Sequence, residues 1–135
     1  MVTKLRAYQF ALDALNNVWT VVSDVSDLWA REPSLRGAAA TNPVQRAINE
    51  AIKGITTNIG ALESTEKKAR STLGDIATRL EEFMKELASG RILNAVELVT
   101  SWKVTVERML GDIAAQIPEL VRTPLYRNLS KKLAA

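Results

Sequence analysis

The chain is predicted to be all-α: an elongated up-down helical bundle of four main helices plus a short basic C-terminal helix. Three observations predict this. Leucine, isoleucine, valine and aromatic residues recur along most of the chain at alternating spacings of three and four, the period of an amphipathic helix. All four prolines fall between these periodic stretches, where they act as stop or start signals. The composition is 47% hydrophobic and 24% charged, which is that of an ordinary folded domain and unlike a disordered chain. A chain of 135 residues forms one domain, residues 1–135, and can bury roughly two thirds of its unfolded surface.

The first helix is predicted from Thr3 to Ala30. Leu5, Tyr8, Leu12, Leu15, Trp19, Val22, Ser26 and Trp29 keep strict three-four spacing. A second stripe of Ala11, Ala14, Val18, Val21, Val25 and Leu28 lies beside the first. Two adjacent stripes make a face broad enough to touch two neighbours, which suits a bundle better than a two-stranded coil. Residues 32–43 read as a connection. Glu32-Pro33-Ser34 stops the helix, because proline disfavours helix at the residue before it. Gly37 and Ala38-Ala39-Ala40 follow, and Asn42-Pro43 reads as an N-cap with proline in the first helical position.

From Ile48 to Leu87 the spacing holds without a slip, which permits one long helix. Residues 63–72 nevertheless contain no large apolar side chain, and Gly60 can end a helix in the left-handed conformation. A break between Gly60 and Thr65 is the preferred reading, with Ser64 or Thr65 as cap. Ser89-Gly90 closes the next helix. The following one carries Ile92, Val96, Val99, Val106, Leu110, Ile113 and Ile117, with Trp102 beside the seam, and Pro118 ends it. Thr123-Pro124 opens the last helix, with Leu125, Leu129 and Leu133 on one face.

Most familiar site chemistry has no residues to carry it. There is no histidine and no cysteine. That removes the Ser-His-Asp triad, imidazole bases, thiolate nucleophiles, disulfides and the Glu-x-x-His metal pairs of helical bundles. The glycines are scattered singly rather than gathered in a phosphate loop. Carboxylate pairs such as Glu81 and Glu82 sit on a polar helix face, where they read as solvated charge. No catalytic residues, cofactor or metal ligands are expected.

The net charge of +3 is unevenly placed. Residues 1–31 balance to zero, residues 32–119 sum to −1, and residues 120–135 carry Arg122, Arg127, Lys131 and Lys132 with no acid. No apolar run approaches the ~18 residues of a membrane span. Gln9, Asp13, Asn16 and Asn17 interrupt any signal-peptide core. A location in the cytoplasm or within an assembled particle is therefore expected, with signal-less export left open.

Several constellations carry competing readings. Trp19, Trp29 and Trp102 lie on or beside the stripes and read either as core or as interface anchors, with Trp29 the better anchor at a helix end. Glu66 occupies a seam position. It marks either the exposed turn of a hairpin or a buried carboxylate that needs a cationic partner. The C-terminal helix groups Leu125, Tyr126, Leu129 and Leu133 opposite Arg127 and Lys131. It reads as a helix docked on the bundle, a phosphate-contacting tail or a partner-binding helix. Membrane-surface binding is the weakest of these, because the apolar face is short and lacks tryptophan.

Three functions are compatible with this pattern. The first is a non-enzymatic structural or assembly subunit acting through protein–protein contacts, with itself or another helical protein as partner. The second is a nucleic-acid-associated subunit of the packaging or nucleoprotein kind. It would use the basic tail with Lys67, Lys68, Arg70 and Arg91 as phosphate contacts. The third is a helical effector or inhibitor acting by surface binding.

Overall fold

The computed structural model describes residues 2–32, 38–92 and 94–135, with the backbone alone for residues 38–41. The described chain is 87% helical and contains no strand. Helix α1 spans Lys4–Arg31 and is capped by Thr3, whose hydroxyl accepts the Arg6 N–H at 3.2 Å. It ends at Glu32, whose N–H donates to the Leu28 carbonyl at 2.8 Å. The rest of the predicted stop, Pro33 and Ser34, lies outside the described residues, as does Gly37.

Helix α2 spans Ala38–Ala61, which corrects the predicted start at Asn42-Pro43 and shortens the connection expected over 32–43. Pro43 lies inside the helix. The reason is propensity: three consecutive alanines are the best available helix formers. At the sixth position Pro43 forfeits one backbone hydrogen bond, a loss the alanine run has to offset.

The predicted break between α2 and the next helix is present. Helix α3 spans Lys67–Ala88, and Glu66 takes the cap position with no side-chain cap bond, in place of the expected Ser64 or Thr65. The joint is held by other groups. The Arg70 guanidinium donates to the carbonyls of Leu62 and Glu63, which follow the end of α2, and the Glu63 carbonyl also accepts the Glu66 N–H at 3.0 Å. The Val2 N–H donates to the Ala61 carbonyl at 3.0 Å, tying the start of α1 to the end of α2. Glu66 is half-buried here rather than enclosed in a seam. Glu66→Ala is therefore expected to change stability by no more than ~0.5 kcal/mol. Chemical denaturation checks this, and a loss of ~3 kcal/mol would instead indicate a buried, paired carboxylate.

After α3, Gly90 adopts a φ of 78°, the left-handed conformation that glycine takes without strain. Helix α4 spans Ala95–Gln116. The Asn94 side chain caps it by accepting the Glu97 N–H at 2.9 Å. A 3-10 turn over Pro118–Arg122 leads to α5, Pro124–Ala134. Thr123 stands at the cap position of α5, but its hydroxyl donates back to the Leu120 carbonyl at 2.6 Å.

Helices α1 and α3 each pack against α2 and α4, and α5 lies on α1 and α4. The Ser26 hydroxyl donates to the Ala95 carbonyl at 3.4 Å, joining the end of α1 to the start of α4. The buried face of α4 is set by Leu98, Trp102, Val106, Met109 and Ile113. This shifts the predicted seam. Trp102 is central rather than beside it, and Val96 is 74% exposed. Val96 precedes Leu98 by two residues, about 200° around the helix, and so points outward. Leu5, at the first turn of α1, is also exposed.

Tyr8 is fully buried, and its hydroxyl makes no hydrogen bond. Burial raises its pKa above the ordinary value of 10.0; Thr72 opposes this, and the charges of Asp112 and Glu66 add to it. The approach to Thr72 falls outside hydrogen-bond geometry. The neutral phenol is thus favoured in the folded state. Its contribution is fully present below the unfolded value and is lost as pH rises through the higher folded value. Tyr8→Phe is expected to hold or raise stability by up to ~1 kcal/mol at neutral pH, since it removes an unpaired buried hydroxyl. It should also lose less stability than wild type above about pH 10. Urea midpoints at both pH values check this. The two proteins differ only in this hydroxyl, so the difference between them isolates Tyr8.

Candidate functional site

The core consumes several residues that the sequence offered as interface anchors. Trp102 is fully buried and meets Phe83 edge-on, with ring centroids 5.2 Å apart at 64°. Trp29 is 3% exposed. Both indole nitrogens are buried without a hydrogen-bond partner. These two tryptophans therefore fill the chain's own interior, because α1 and α4 turn their widest apolar faces inward. Trp19 is half-buried against the core.

The C-terminal helix is likewise docked on its own bundle. Leu129 and Leu133 are buried, while Leu125 and Tyr126 are half-buried against the same core. Asn16 of α1 anchors the helix. Its amide donates to the carbonyls of Leu12 at 3.0 Å and Leu125 at 3.2 Å. Its side-chain oxygen accepts from Lys132 Nζ at 3.3 Å. The Tyr126 hydroxyl donates to the Leu110 carbonyl at 3.4 Å.

The predicted phosphate contacts do not gather on one face. Arg70 is spent on the Leu62 and Glu63 carbonyls and Lys132 on Asn16. Lys67 and Lys68 are exposed at the start of α3, and Arg91 lies beyond its other end. A helix of 22 residues separates them by about 33 Å. Arg122, Arg127 and Lys131 do come together. With Val121, Tyr126 and Ser130 they line an open depression of about 500 Å³. Val121 is 40% exposed within it.

Two further regions share this plan of an exposed apolar centre and a charged rim. Phe10 lies between two depressions along α1 and α2. One, of about 490 Å³, adds Val2, Arg6, Asp13 and Asn58; the other, of about 240 Å³, adds Ala14, Ala47, Glu50 and Ala51. The Phe10 ring rests on α2 at Gly54, where a Cβ would come within 2.3 Å of its Cζ. Glycine is what allows the ring to lie this low. Between α3 and α4, Val104 is 51% exposed in a depression of about 160 Å³ rimmed by Arg79, Glu82, Glu86 and Arg108. Arg79 Nε is buried there without a hydrogen bond.

Sequence reading missed Phe10, Val104 and Val121. A signal was present, since each is a large apolar side chain lying off the buried stripe of its own element. Among the described residues, no group of three or more acidic side chains is arranged to hold a metal ion, and no helix is long and apolar enough to cross a membrane. Comparison with known proteins finds no matching family model, no matching curated protein and no matching solved structure.

Proposed function

We propose that this chain is a non-enzymatic assembly subunit that acts through protein–protein contacts, with itself or with another helical protein. One observation carries the reading. Phe10, Val104 and Val121 each stand exposed in a shallow depression edged by charged side chains. An apolar centre within a polar, charged rim is the plan of a protein–protein contact surface. The absence of histidine and cysteine from the chain narrows the chemistry available for an enzymatic alternative.

Phe10→Ser, Val104→Ser and Val121→Ser test the proposal. Val104→Ser and Val121→Ser are each expected to cost about 1 kcal/mol of stability, and Phe10→Ser about 2 kcal/mol, because its ring also packs on Gly54. At least one should weaken association measured by sedimentation. Association unchanged in all three would contradict the reading.

A second reading, nucleic-acid association, is favoured by the meeting of Arg122, Arg127 and Lys131 in one depression. It predicts binding to DNA or RNA that falls steeply with salt.

A further inference from the structure

We infer that the basic depression on α5 receives the α1–α2 groove of a second copy of this chain, joining copies head to tail. The inference rests on the assembly reading above. The charged residues lining the α5 depression are all cations and those lining the groove beside Phe10 are all carboxylates, with Arg6 in the neighbouring depression. On the first surface, Arg122, Arg127 and Lys131 surround Val121 and the half-buried Tyr126, and residues 120–135 contain no acid. On the other, Phe10, Ala14, Ala47 and Ala51 line a groove together with Asp13, Glu50 and Asn17. Arg46 and Lys53 flank Glu50 on α2 but do not line the groove.

Each surface offers what the other lacks. Cations on long flexible stems can reach the exposed carboxylates, while Val121 meets Phe10 and the alanines. Potentials of opposite sign then fix the register of the contact. A polyanion would satisfy the three cations but would gain nothing from Val121 at their centre.

Within one copy the two depressions share no lining residue. Asn16 holds α5 on α1, and Phe10 and Ala14 lie more than about 100° around that helix from Asn16. The surfaces also differ from each other, so the contact is heterologous. It repeats from copy to copy, closing into a ring or extending as a filament. Both depressions are shallow, so association should be weak, at micromolar concentrations or above.

The test is a charge swap followed by sedimentation at low salt. One variant carries Arg127→Glu with Lys131→Glu, and the other Asp13→Lys with Glu50→Lys. All four positions are exposed, and dichroism checks that each variant folds. If the double reversals fail to fold, Arg127→Gln and Glu50→Gln replace them, and each should weaken association measurably. Wild type should gain mass with concentration and lose that gain as salt rises. Each double variant alone should associate at least ~10-fold more weakly, because like charges now face each other. An equimolar mixture should recover association to within ~3-fold of wild type, since each variant then supplies the complement of the other.

Three outcomes overturn the inference. Association that survives both reversals places the contact elsewhere and leaves the assembly reading standing. Variants that are each monomeric but fail to recover on mixing show that the two surfaces do not touch each other. A wild type that stays monomeric, and whose binding to a single-stranded oligonucleotide is lost on reversing Arg127 and Lys131, identifies nucleic acid as the occupant and removes the assembly reading as well.

Discussion

Trp102→Ala is expected to lower stability by about 3–5 kcal/mol, measured by chemical denaturation. The indole is fully buried on α4 and packs edge-on against Phe83 of α3. Truncation to alanine removes one of the two tryptophans of the interior and leaves a cavity that a packed bundle can only partly close. Against a total stability of roughly 5–15 kcal/mol, such a loss places the variant near unfolding. One gain offsets a little of it. The indole N–H has no partner, so its removal relieves a buried polar group. Trp102→Phe should therefore be markedly milder than Trp102→Ala. A loss below ~1 kcal/mol for the alanine variant would mean that the indole is not interior.

Deletion of residues 120–135 is expected to cost about 5 kcal/mol or more. Leu120, Leu129 and Leu133 are buried, and a buried leucine contributes about 1.5–3 kcal/mol. The deletion also leaves Asn16 without its Leu125 and Lys132 partners. Thermal or urea unfolding of the shortened chain checks this, and an unchanged midpoint would show that α5 is not docked. The consequence for functional tests is direct. This segment supplies the whole positive excess of the protein, yet removing it also opens the core. Lost binding after truncation would not distinguish charge from folding, whereas reversal of exposed Arg127 and Lys131 does.

The five helices were legible in the sequence because burial imposes the three-four period, and chain punctuation falls where the period pauses. The joint after α2 is an example: residues 63–72 lack large apolar side chains, and only the small Ala69 among them enters the core. Two details of register were not legible. At the start of α4, Val96, Leu98 and Val99 are all apolar, so spacing alone permits more than one inward face. At the start of α2, a strong proline start signal competed with three alanines, and the helix extended past the signal.

The candidate surface was less legible than the fold, for a different reason. Counting charges along the chain cannot tell which cations are spent internally. Arg70 and Lys132 look no different in sequence from Arg127 and Lys131, yet the first pair satisfies carbonyls and an amide within the bundle. The separation of Lys67 from Arg91 was legible, since the predicted joint and the Ser89-Gly90 stop already put them at opposite ends of one helix.

The most direct test of the account is the mass of the full chain in solution. Sedimentation would be run over a range of concentrations, at low and near-physiological salt, with and without added DNA or RNA. The account predicts a mass above the 14.9 kDa monomer that grows with concentration and is unchanged by nucleic acid. A 14.9 kDa particle at every concentration, moving onto nucleic acid in the micromolar range and released as salt rises, would contradict it.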